Sequence, residues 1–308
     1  MTSKRGWLAE APDLDAYFRR IGYAGPRTAT LDTLAALHRL HPQAIPFENL
    51  DPLLQRPVTL NAAAFEQKML LGGRGGWCFE HNLLFGCVLV ALGFRVTGYT
   101  ARVLWGVPEG ATRARTHMLL GIECTSADSA GEGADAQSGA GAGQGRDERP
   151  SEAASTFIAD VGFGGLTLTG PLRLVAGLEQ VTPHEKFRLL EAGRSGFVLE
   201  VLLRGAWKPV YSFDLQPQVL ADYELSNWYL SHFPESPFMK NLMAARVTPD
   251  RRYALFNNRL ATHHLNGETE QVTLGSVGEL RRVLEGELGI VLPDDAGLDA
   301  VLERFAAP

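Results

Sequence analysis

Apolar residues change their spacing at Gly93, which calls for a helical part and a strand-built part in one fold. Before that glycine they recur at helical intervals. Leu14, Tyr17, Phe18 and Ile21 form one stripe. Leu31, Leu34 and Leu37 form another, with Thr30 as N-cap and Pro42 as the expected stop. Asn61 caps a third helix through Phe65, Met69 and Leu70, which Gly72 and Gly73 end. A fourth begins at Cys78 and carries Leu83, Leu84, Cys87, Val88 and Leu92. It is apolar on most faces, which predicts burial.

After Gly93 the period is that of strands. Segments 95–105, 116–124, 156–161, 197–203 and 209–213 are short, apolar or β-branched, and separated by turn residues. A helix follows over 223–230, then two more strand pairs, with Asn266-Gly267 as a hairpin turn. Ser276 and Glu279 make a capping box for a helix through Leu280, Val283 and Leu284, and a last helix spans 297–305. The expected fold is α+β in three parts: a helical bundle over 1–93, an antiparallel β-barrel over 94–215 and an α/β module over 216–308. Segment 126–155 is rich in Gly, Ala, Ser and acidic residues and lacks Leu, Ile, Val and Phe. It cannot bury enough apolar surface to offset ordering, so it reads as a flexible insertion between two strands.

A chain of 308 residues exceeds one small core, which agrees with several modules. A net charge of -6 gives no general basic surface for nucleic acid or an anionic membrane. No apolar run reaches membrane-spanning length, and the first ten residues lack a signal-peptide core. Cys78, Cys87 and Cys124 have no CxxC spacing, so neither a disulfide framework nor a zinc site is expected. A reducing cytoplasm fits such thiols.

Cys78 has the most telling surroundings: Arg74-Gly75-Gly76-Trp77-Cys78-Phe79-Glu80-His81-Asn82. It follows a glycine turn and opens a helix. There, free backbone N–H groups and the helix dipole favour thiolate over thiol. That position alone allows an inert packing residue, a redox thiol or a nucleophile. A nucleophile needs a base, and the base an orienting group. Among eight histidines, His117 lies in a strand pattern, and Asp160 ends an apolar strand where burial demands a partner. His81 sits one helical turn after Cys78 and reads as a packing residue. His263-His264 has no carboxylate cluster for a metal, and no HExxH, Walker A or GxGxxG element is present.

The block from Arg74 to Asn82 resembles the RGGxCxExN signature of the arylamine N-acetyltransferase family. Pro46-Phe47-Glu48-Asn49-Leu50, Thr116-His117, Asp160-Val161-Gly162-Phe163-Gly164 and Pro234-Glu235-Ser236-Pro237-Phe238 resemble its other blocks, in order. The resemblance implies a helical bundle, a β-barrel and an α/β lid around a cysteine-protease-like catalytic core. It implies Cys78 as acetyl acceptor, His117 as base and Asp160 as orienter. It further implies a cleft of Phe47, Val103, Trp105, Thr116, Phe163, Gly164 and Phe238. The implied partners are acetyl-CoA, as co-substrate rather than tightly bound cofactor, and small aromatic amines or hydrazines. Segment 126–155 departs from the family pattern. A thiol hydrolase with the same triad, or an amide synthase of the same fold, is the alternative.

Overall fold

The computed structural model describes residues 10–108, 110–124 and 155–306. Helix α1, Leu14–Ile21, begins where the Asp13 carboxylate accepts the N–H groups of Asp15 and Ala16. Helix α2, Leu31–Ala44, begins at Thr30, whose hydroxyl accepts from Thr33 N–H. It does not stop at Pro42. The proline falls in the last turn, where it forfeits only its own bond to the His38 carbonyl. Ile45 N–H still closes on the His41 carbonyl at 2.8 Å.

A two-residue strand β1, Phe47–Glu48, and a short helix α3, Leu50–Leu53, come next. Helix α4, Ala62–Phe65, is capped by Asn61 as expected. It then widens into a π-helical turn, Glu66–Leu71, instead of running on as an α-helix. Gly72 N–H reaches back to the Gln67 carbonyl, and Lys68 on this turn meets buried carboxylates. Helix α5, Cys78–Ala91, is buried along nearly its whole length, and it ends just before Gly93.

Strands β2, Arg95–Val103; β3, His117–Cys124; and β4, Ser155–Ala159, follow. They run consecutively side by side, antiparallel. Trp105 therefore lies beyond the strand expected to hold it, and Asp160 just past the end of its own. Segment 126–155 lies outside the described residues except for Ser155, which opens β4 and pairs with Cys124. The sheet continues through β5, Leu172–Arg173; β6, Gln180–Val181; β7, Lys186–Ala192; β8, Gly196–Leu203; and β9, Ala206–Asp214. All eight form one antiparallel sheet in the order β5-β4-β3-β2-β9-β8-β7-β6. Its edges nearly close. The Gln180 side chain pairs with both backbone groups of Arg173, and Ala176 bridges to Leu189.

Helix α6, Leu220–His232, and a short helix α7, Pro237–Lys240, lead to a second sheet. It holds β10, Met243–Thr248; β11, Arg251–Phe256; β12, Arg259–His264; and β13, Thr269–Thr273, a meander closed by the expected turn at Gly267. Its other edge strand is β1 from the N-terminal region, which pairs with β10. Leu50 and Leu53 share the core of this sheet with helices α8, Val277–Glu285, and α9, Leu298–Ala306. Among the described residues, no helix is long and apolar enough to cross a membrane.

Strand alternation divides β3 between two cores. Met118, Leu120 and Ile122 face α5 and the other N-terminal helices, whereas Leu119 faces the barrel interior with Leu199, Val210 and Tyr211. His117 shares the parity of Leu119. Leu120 pairs with Ala159, so the next residue, Asp160, falls opposite Leu119 and on the face of His117. The register brings imidazole and carboxylate together at the barrel mouth.

Candidate active site

Cys78 opens α5 with its sulfur 3.7 Å from the Thr116 carbonyl, one residue before His117. His117 Nε2 lies 2.7 Å from Asp160 Oδ2, and the Cys78 sulfur is a further hydrogen-bond neighbour of the ring. All three residues are buried. Burial opposes a charge on His117, but Asp160 and then Cys78 outweigh it and push the imidazole up to about 10. Burial also works against the Asp160 carboxylate. His117, Asn82 and the Gly162 N–H outweigh it and hold the carboxyl below its usual range.

Asn82, one helical turn after Cys78, fastens this arrangement. Its Nδ2 donates to Asp160 Oδ1 and to the Met118 carbonyl, and its Oδ1 accepts from Val161 N–H. One side chain thus binds α5 to β3 and to the segment just past β4. Gly162 makes the close approach feasible, because a Cβ there would sit 2.8 Å from the Cys78 Cα.

The turn before Cys78 is held by charge. Arg74 reaches Glu48 Oε1 at 2.6 Å and Asp51 Oδ1 at 2.8 Å. Lys68 reaches Asp51 Oδ2 at 2.6 Å and Glu80 Oε1 at 2.8 Å. Glu80 Oε2 in turn accepts the Trp77 N–H at the helix start. The five side chains are buried or nearly so; pairing outweighs desolvation at Lys68, Arg74 and Asp51, whereas burial still raises the Glu80 carboxyl. Gly75 admits no side chain, since a Cβ would lie 1.8 Å from the Pro46 carbonyl oxygen.

The residues expected in a cleft fall into two groups. Phe163 packs edge-on to His117 at 5.0 Å between ring centroids, and Tyr211 lies 5.1 Å from the same ring. Val103 pairs with Tyr211 across β2 and β9. Phe47 lies against Gly164 and 6.3 Å from Phe238, whose ring stands edge-on to Trp77 at 5.2 Å. Thr116 supplies the carbonyl beside the sulfur. Trp105 follows Val103 by two residues and lies next to the strand that carries Tyr211. It is 39% exposed in the turn after β2, its N–H on the Val210 carbonyl. Among the described residues, no three metal-ligating side chains come together.

Two neighbours of the site, Tyr211 and His38, carry no signal in the sequence, and a third, Asn82, closes the block that resembles RGGxCxExN. Tyr211 is one of several apolar residues in a strand, and only the register places it beside His117. His38 accepts the Asp160 N–H through Nε2 at 3.1 Å, across a sequence gap no local signal spans. Asn82 had a signal, its i+4 spacing from Cys78, which puts both on one helix face.

A thiol, an imidazole and a carboxylate thus meet at the mouth of the β-barrel, the three groups that thiol-dependent chemistry requires. The N-acetyltransferase family model matches residues 30–128 and 151–296. The arylamine N-acetyltransferase of Mycobacterium tuberculosis (strain ATCC 25618 / H37Rv) is 40% identical over 92% of this chain and 91% of its own length. That of Mycolicibacterium smegmatis is 40% identical over 94% of this chain and 96% of its own. The structure of the Mycobacterium marinum arylamine N-acetyltransferase in complex with CoA superposes with a TM-score of 0.83. It is 35% identical and covers 95% of this chain and 99% of its own. The chain belongs to the arylamine N-acetyltransferase family and is an acyltransferase.

Proposed function

We propose that the protein moves an acetyl group from acetyl-CoA to the nitrogen of arylamines or arylhydrazines, by a ping-pong route through acetyl-Cys78. The observation that carries this reading is the His117 ring, bound to Asp160 through Nε2 with the Cys78 sulfur as its other neighbour. A CoA complex of the M. marinum relative supports acetyl-CoA as donor, and the relatives' names support an arylamine acceptor.

In this mechanism His117 holds the proton of the Cys78 thiol, and Asp160 stabilises the imidazolium and fixes its tautomer. Cys78 attacks the thioester carbonyl, and N–H groups in the first turn of α5 stabilise the oxyanion. The carbon–sulfur bond to CoA breaks, and the departing thiolate takes the proton from His117. The amine nitrogen then attacks acetyl-Cys78. His117 accepts its proton, and the Cys78 thiolate leaves. Phe47, Phe163, Trp77 and Phe238 suit a flat aromatic acceptor and keep water from the acyl-enzyme. Val103, Thr116, Gly164 and Trp105 complete the proposed cleft, and the second sheet with α8 and α9 serves as its lid. The test is the release of CoA without any amine. A burst of one CoA per enzyme, absent in Cys78→Ala, is expected; no release of CoA until an amine is added contradicts an acyl-enzyme and favours direct transfer.

A further inference from the structure

His81 is a titratable member of the Cys78 block that the chemistry above leaves unused. Both of its ring nitrogens are engaged away from the sulfur. Nε2 lies 3.1 Å from the Pro46 carbonyl oxygen, and Nδ1 lies 2.9 Å from His41 Nε2. His41 Nδ1 in turn lies 3.0 Å from the Tyr17 hydroxyl. A carbonyl only accepts, so proton counting fixes every bond. His81 donates from Nε2 and accepts at Nδ1. His41 therefore donates from Nε2 and accepts at Nδ1, and Tyr17 donates its hydroxyl proton.

The chain works in this sense only if both imidazoles are neutral. Burial pushes His81 down to about 4 and His41 well below its usual value. Lys68 and Glu48 face His81, while His81, His38 and Arg20 face His41. Tyr17 is fully buried, so the far end meets no solvent and the chain is no conduit for protons. What it does reach is the turn before Cys78. The Pro46 carbonyl also accepts the Gly76 N–H, and Glu48 N–H returns to the Gly76 carbonyl at 2.9 Å. Beside it, the Phe47 ring lies nearly parallel to the His81 imidazole, at 10° and 6.5 Å between centroids.

We propose that Tyr17, His41 and His81 form a one-way hydrogen-bond chain that positions the Pro46 carbonyl, and through it the Gly75-Gly76 turn that presents Cys78 for reaction. His81 is thus a positioning residue. The proposal rests on Cys78 as the nucleophile, and its first test is independent of that assignment. Nitrogen-15 NMR of the imidazoles at neutral pH should show His41 and His81 both neutral with the proton on Nε2. A proton on Nδ1 of His81, or a charged ring, overturns the chain.

The second test is alkylation of Cys78 by iodoacetamide. His81→Gln keeps one donor for Pro46 and one acceptor for His41, so it should react at close to the wild-type rate. His81→Leu keeps bulk without either bond and should react slower by roughly tenfold or more, the scale of a small misplacement of a reacting group. Tyr17→Phe removes a single oxygen and should slow the reaction less; it carries the test if His81→Leu does not fold. Leucine and glutamine variants that react alike, both folded, overturn the positioning role. A wild-type Cys78 that does not react at all faults the nucleophile instead.

Discussion

Asn82 Nδ2 donates to Asp160 Oδ1 across 3.0 Å, tying the helix that begins at Cys78 to the carboxylate that holds His117. The same amide also holds the Met118 carbonyl and the Val161 N–H. Asn82→Ala leaves these buried groups short of partners, at a cost of about 1–3 kcal/mol. Stability should fall by that amount in urea titration. The fall in kcat/KM should be larger than that loss explains, about a hundredfold, because Cys78 and His117 lose their common tie.

Asp160→Asn should keep the fold but remove the charge that holds the imidazolium. In the wild type, His117 is raised to about 10, so the charged ring persists through neutral pH and is lost as pH rises through about 10. The stability it contributes is fully present below its unfolded value near 6.5 and disappears over the same rise. Cys78 alkylation should therefore be flat between about pH 7 and 9 in the wild type. In Asp160→Asn the ring loses the carboxylate that raises it, and the rate at neutral pH should fall. A rising wild-type profile would mean that His117 and Cys78 do not share the proton in this way.

Gly75→Ala tests how tightly the turn before Cys78 is built. The added methyl would overlap the Pro46 carbonyl oxygen, which the Gly76 N–H and His81 already hold. Loss of more than about 3 kcal/mol or of soluble protein is expected, as for severe overpacking. Wild-type thermal stability in this variant would show the turn to be looser than described.

Elements with local causes were legible in the sequence, and those with distant causes were not. Thr30, Asn61 and Ser276 cap helices through contacts only a few residues long, so their signals are complete in the sequence. Strand β1 is two residues long and exists because Ala244 and Ala245 of β10 pair with it. Strand β7 turns Phe187 and Leu189 inward, a period-two signal that is present in the sequence but absent from the expected strands. Within the site, Cys78, His117 and Asp160 were singled out by local context, whereas their assembly depends on the β3–β4 register. The hydrogen bonds of His81 were illegible because both of its partners, Pro46 and His41, come from the α2–β1 region.

Acid should loosen the protein before its carboxylates titrate. Burial lowers His38 and His81 to about 4, and lowers His41 in the same direction. Their stabilising effect is fully present above the unfolded value near 6.5 and is lost as pH falls towards 4, about 3 kcal/mol each for His38 and His81. Asp160, whose carboxyl is lowered, keeps its contribution until pH falls below the usual carboxylate range. Urea midpoints should therefore drop between about pH 6.5 and 4, and His81→Gln should flatten that drop. An unchanged midpoint across this window would mean that the buried histidines titrate normally.

Intact-protein mass spectrometry after mixing with acetyl-CoA alone reads the acyl-enzyme itself. One added acetyl group, mapped to Cys78, lost on addition of an arylamine and absent in Cys78→Ala, is the predicted result. An unmodified protein that still acetylates the amine, or an acetyl group on another residue that is passed to the amine, would contradict it.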